Sequence, residues 1–109
     1  MSRIRLVTGD TRPYIRITLS DKDGQPINLS DADTSVVVYF RAVGSDTVLA
    51  TLPCSKTGTG EDGQVVFNFP AGVLDVEPGP YEGEVEIRFG AERQTVYQTL
   101  KFAVREQFA

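Results

Sequence analysis

Glu84 and Glu86 stand two residues apart in a run that alternates apolar and charged side chains. On a strand that spacing puts both carboxylates on one face, with Cα atoms roughly 7 Å apart. Two carboxylates so placed are the equipment of a glycoside hydrolase. Gly58-Thr59-Gly60-Glu61-Asp62-Gly63 matches G-x-G-x-x-G letter for letter, the loop that aims a helix N-terminus at a pyrophosphate. Asp21-Lys22-Asp23-Gly24 opens as a calcium loop opens, and Asp31 with Asp33 or Glu61 with Asp62 offers oxygen pairs to a weak surface cation.

Each of these has a plainer reading. The carboxylate row reads as convex and solvated, with no cleft beside it. The glycine string lies between strand-like segments instead of opening a helix, and its two acids repel an anion. In the Asp21 loop the glycine comes fourth instead of sixth, and no glutamate stands twelfth to chelate. The chain has no histidine, so the commonest general base and neutral metal ligand are missing. Its one cysteine, Cys54, has no imidazole to activate it and lies beside Pro53. The expectation is a protein that is not an enzyme, with no catalytic residue, no cofactor and no metal.

The elements that carry these residues read as strands. Ile15, Ile17 and Leu19 alternate with polar neighbours after Pro13 and end at the Asp21–Gly24 turn. Val36 to Phe40 is β-branched and aromatic; Val48 to Lys56 contains Pro53, which lacks a ladder donor and marks an edge strand. Val65, Phe67 and Phe69 share a face, and Pro70 to Asp75 reads as one helical turn. Tyr81, Gly83, Val85, Ile87 and Phe89 point inward between Glu82, Glu84, Glu86 and Arg88. Thr95 to Arg105 reads as one last long strand, and Ile4 to Val7 as the first.

About seven strands, spaced every ten to twelve residues, predict an all-β chain: an immunoglobulin-like antiparallel β-sandwich, one domain over residues 1–109. Tyr81 follows a Pro-Gly bend at the start of a late strand; it is either a corner tyrosine bonded back to the preceding loop or an ordinary core aromatic.

At 109 residues the chain supports one core, since a chain of this size buries only roughly 65% of its unfolded surface. Its net charge of -4 has the wrong sign for a phosphate backbone. Arg3, Arg5, Arg12 and Arg16 are read as a solvated face, and no nucleic acid is expected. No segment approaches the about 20 apolar residues that span a bilayer, and the N-terminus lacks the apolar run of a secretion signal. No membrane partner is expected, and no intramolecular disulfide can form from one cysteine.

Gly9-Asp10-Thr11, Pro13, Ile15-x-Ile17-Thr18-Leu19, Asp23-Gly24-Gln25-Pro26-Ile27-Asn28-Leu29-Ser30, and an apolar strand ending in Phe40-Arg41 together resemble the N-terminal domain of tailed-phage baseplate upper proteins. The Pro-Gly-x-Tyr bend and the Glu-rich strand, Asp75 to Phe89, are similar to that family's second half. The resemblance runs from Arg3 to Val104. It departs at Asp31, where the family has glycine, and at Asp33-Thr34-Ser35, which lengthen the approach to the strand and predict a bulged corner.

The resemblance implies a virion structural protein, made in the host cytoplasm and multimeric in the particle. It would bind tail, baseplate, fibre or capsid subunits through sheet edges, loops and termini. Arg3 and Arg5 on the first strand are candidate contacts, as is the edge from Val48 to Lys56; Phe108 either docks as an anchor or frays. The alternatives are a capsid decoration or head-fibre protein, and a carbohydrate-binding module stacking sugar on Tyr14, Tyr39 or Tyr97.

Overall fold

The computed structural model describes residues 3–96 and 98–108. Eight strands follow in order: β1 (Ile4–Val7), β2 (Ile15–Thr18), β3 (Thr34–Ala42), β4 (Ala50–Lys56), β5 (Gln64–Phe67), β6 (Gly79–Phe89), β7 (Glu92–Thr95) and β8 (Leu100–Arg105). The described residues contain no helix, and the all-β expectation holds. Pairing runs β1-β8-β6-β3-β4-β5-β2, with β7 also on β6. Every pairing is antiparallel except β1 with β8, which is parallel and so departs from a wholly antiparallel expectation.

The sheet curls because its inward rows must bury a common set of aromatics. Phe69, just past β5, packs edge-on against Phe40 of β3 at 5.4 Å and Phe102 of β8 at 5.8 Å between ring centroids. Tyr81 of β6 stacks on Phe40 at 5.2 Å. Strands far apart in the pairing order thus face each other across one core, which also takes in Val38, Leu52, Val65 and Ile87. β6 forms the spine, paired with β3 from Tyr81 to Phe89 and on its other side first with β8, then with β7.

Three expected boundaries shift. The last strand is two, because the six residues from Thr95 to Leu100 span only the four from Glu86 to Gly83 on β6, an insertion of two that breaks the ladder. β4 is an edge as expected along Ala50–Cys54, which pairs with β3 alone, but its last two residues, Ser55 and Lys56, cross over to pair with β5. Pro53 stands in the half with a partner on one flank only, where a missing N–H costs little. Pro70 to Asp75 forms successive tight turns instead of a helical turn, closed by Val73 N–H to Pro70 O and Asp75 N–H to Gly72 O. Gly72, at φ +91°, takes it out of helical geometry. Nor is the corner before β3 bulged: Thr34 N–H closes a turn on Asp31 O at 3.0 Å, and the register from Thr34 to Ala42 is unbroken.

Tyr81 resolves its two readings by being both. Its ring is buried in the core, and its hydroxyl donates to Glu77 O at 2.6 Å, tying the bend to the spine strand. Tyr81→Phe keeps the ring and leaves that carbonyl without its donor. The expected loss is about 1–2 kcal/mol in urea unfolding with an unchanged m-value. A loss near zero would mean that water replaces the bond without penalty.

Candidate functional site

The outward face of β3, β6 and β7, with Lys101 of β8, gathers the ion pairs found among the described residues into a network. Register sets it: Tyr39 lies opposite Glu84, Arg41 opposite Glu82, Arg93 opposite Arg88, and Lys101 opposite Glu82 on the far side. Arg41 Nε meets Glu82 Oε2 at 2.7 Å, and Lys101 Nζ lies 3.8 Å from Glu82 Oε1. Arg88 Nε meets Glu86 Oε1 at 2.7 Å, and Tyr39 donates its hydroxyl to the same oxygen at 3.1 Å. Arg88 Nη2 in turn donates to Tyr39 Oη at 3.3 Å. Arg93 Nη1 lies 3.9 Å from Glu86 Oε2.

This corrects the reading of the Glu row as convex and solvated. Glu86 is buried, and Glu82, Glu84 and Glu86 line a shallow depression of about 340 Å³ with Tyr39, Arg41, Val48, Arg93 and Thr99. Tyr39 from β3 and Arg93 from β7 fold over Glu86, so an outward position is not always an exposed one, while Glu84 keeps the exposure expected of it. The Glu82 and Glu86 carboxylates are committed to neighbouring cations. Each of these pairs has a cation 43% exposed or more, and ion pairs open to solvent contribute only about 0–1 kcal/mol, so the lattice organises the surface more than it stabilises the fold.

The hydrogen bond from Arg88 holds the Glu86 carboxyl below its ordinary value of 4.5; Tyr39 and Arg93 act in the same direction against the cost of burial. A depressed folded-state value contributes stability above the unfolded value and loses it as pH falls through the folded one. The stability gap between the wild type and Glu86→Gln should therefore be widest near neutral pH and close progressively below pH 4.5. Urea titrations at stepped pH measure it; a gap independent of pH would contradict the ion network.

The other sequence candidates are placed as follows. Asp21 Oδ1 accepts the N–H groups of Asp23 and Gln25, both at 2.9 Å, and Asp31 Oδ1 accepts Asp33 N–H at 2.9 Å, so these acids shape turns. Among the described residues no group of three metal-type ligands forms. Cys54 is half-buried, and burial pushes its thiol up to about 12, which leaves it protonated at neutral pH. The Gly58–Gly63 loop packs on the β2 corner, with Leu29 N–H on Gly60 O and Leu19 N–H on Gly63 O, both at 2.8 Å.

Arg3 and Arg5 are exposed, Arg5 on the open-edged strand β1. Phe108 is 94% exposed, with the Arg105 guanidinium 4.9 Å from its ring centroid, and lies beyond the end of β8. Along the strand axis Arg5 is level with Ala103, so the three candidates do not form one patch. Tyr14 is exposed and stays outside the depression that Tyr39 lines; Tyr97 lies outside the described residues.

Sequence reasoning missed Arg41, Arg93 and Lys101 as members of the site. The available signal was Tyr39-x-Arg41 on one strand and Glu82-x-Glu84-x-Glu86 on another, opposite charges with matching period. A second concavity, about 520 Å³, follows the open edge of β2 from Arg16 to Asp21 over Val85 and Leu100. What the fold and its surface define is an all-β protein with a charge-paired sheet face. No protein-family model and no curated protein matches the chain.

Proposed function

We propose that this chain is a structural protein of a tailed-phage particle, an immunoglobulin-like sandwich module at the tail, baseplate or fibre attachment. It assembles by protein–protein contact and carries out no catalysis. The resemblance of Gly9 to Arg41 and Asp75 to Phe89 to baseplate upper proteins names the setting. The immunoglobulin-like part draws support from the pairing order, with β1-β8-β6-β3-β4 on one side and β5-β2 on the other, and from the Tyr81 corner.

The observation that carries the contact role is the β3–β6–β7 face. It holds Tyr39, Arg41 and Arg88 by hydrogen bonds to Glu82 and Glu86, with Arg93 and the neighbouring Lys101 of β8 at 3.9 and 3.8 Å from the same carboxylates, beside an exposed apolar hairpin of Val43, Val48 and Leu49. Tyr and Arg around an apolar patch are the composition of a protein interface. The open edges of β1 and β2 offer further pairing positions.

Immunogold labelling of purified phage particles, paired with mass spectrometry of the same particles, tests the reading. Label at the tail end is the expected result. Label over the capsid would move the chain to a decoration or head-fibre role. Particles without the protein by both methods would overturn the proposal.

A further inference from the structure

We propose that the β3–β6–β7 face binds a second copy of this chain about a twofold axis, with Glu84 of each copy meeting Arg93 of the other. The inference rests on reading the chain as an assembly module and names the partner for that face.

The charges left over on the face carry it. Glu82, Glu84 and Glu86 point the same way, yet only Glu82 and Glu86 belong to ion pairs among the described residues. Glu84 is exposed on the wall of the depression. Arg93 lines the same depression, with its side chain 74% exposed. It reaches only Glu86, at 3.9 Å, and that carboxylate already holds Arg88 at 2.7 Å. A guanidinium has five N–H donors in a planar fork that suits a carboxylate, and most of those on Arg93 are unspent.

One spare anion and one spare cation on a single face are what an isologous contact needs. Across a twofold axis residue i meets j of the partner and j meets i, so one such pair per copy makes two equal bridges. The rest of the face narrows the choice of occupant. With Arg41 and Lys101 on Glu82 and Arg88 on Glu86, the charges left to a partner are Arg93 and Glu84, so a wholly basic partner leaves Arg93 unmatched and a wholly acidic one leaves Glu84 unmatched. The same mixed pattern, turned through half a revolution, is complementary. Val48, 49% exposed at the depression, and the Tyr39 ring supply apolar surface whose burial shields the new bridges from water.

Sedimentation equilibrium of the full chain over a concentration series, at low and high salt, tests this without any variant. The wild type should dimerise and dissociate as salt rises. Glu84→Arg and Arg93→Glu should each weaken dimerisation by about tenfold or more, and the double swap should return it to near the wild-type constant. Thermal melts confirm that the exposed substitutions leave the fold intact. A wild type that stays monomeric at every concentration, single variants that dimerise normally, or a double swap no better than the singles would each overturn the contact. If the protein is found in particles yet is monomeric in solution, this inference fails while the virion reading stands.

Discussion

Phe69→Ala should destabilise the protein by about 3–5 kcal/mol, the range for emptying a buried aromatic site. Phe69 is fully buried and touches the rings of Phe40, Phe67 and Phe102, with centroids 5.4, 5.9 and 5.8 Å away. It belongs to the segment after β5, and its contacts reach β3 and β8, so it holds the curled end of the sheet against the spine. A domain of this size has about 5–15 kcal/mol in total, so the variant loses about a fifth of it or more. The melting temperature should fall on the order of 15 °C or more. Phe69→Leu refills part of the volume and should restore part of the loss. Phe108→Ala is the control, since a side chain 94% exposed should change stability by less than about 0.5 kcal/mol. Calorimetry of the three variants decides; equal small effects at both phenylalanines would mean that the core does not close where Phe69 stands.

How far the sequence carried these conclusions depends on whether a feature is local. The inward row of β6 was legible because Tyr81, Gly83, Val85 and Ile87 keep a strict period of two, and all four are buried. The break between β7 and β8 was not, because the insertion there is two residues long. An even shift leaves every side chain on its original face, so the alternation through it reads as one strand. Pro53 correctly reported a missing partner in its own half of β4, and nothing local reports that Ser55 and Lys56 cross to β5.

Glu86 shows the same limit in the site. Its outward parity was right, but its burial comes from Tyr39, Arg88 and Arg93 closing over it, and two of those three lie on other strands. Cross-strand register is a tertiary fact, so a row of charges on one strand cannot reveal whether it is solvated or roofed. The glycine string had the converse fate. It lies between strands as expected, and the structure gives Gly60 and Gly63 a stricter duty than turning, since an added Cβ would stand 3.1 Å from Leu29 backbone at Gly60 and 2.5 Å from Leu19 O at Gly63.

Gly63→Ala is the second large effect expected, about 2–4 kcal/mol. Gly63 is buried with φ +73°, a conformation that costs an L-residue about 1 kcal/mol. A Cβ there would also stand 2.5 Å from Leu19 O, 3.1 Å from Ile27 O and 3.2 Å from Ile27 N, all backbone atoms. They cannot turn aside as a side chain can. Leu19 N–H donates to Gly63 O at 2.8 Å, and Leu19 O accepts Ile27 N–H at 2.9 Å, so moving Leu19 strains the bonds that hold the β2 corner. Overpacking of that kind adds about 1–3 kcal/mol. Gly58 supplies the comparison within the same string: φ is +57° and nothing lies within 4 Å of its added Cβ. Gly58→Ala should therefore lose only the conformational part, about 1 kcal/mol. Urea unfolding of the two variants separates steric exclusion from backbone strain. Equal losses would leave Gly63 with strain alone, whereas a much larger loss at Gly63 shows that the loop's glycine admits the close approach of the Leu19–Ile27 corner.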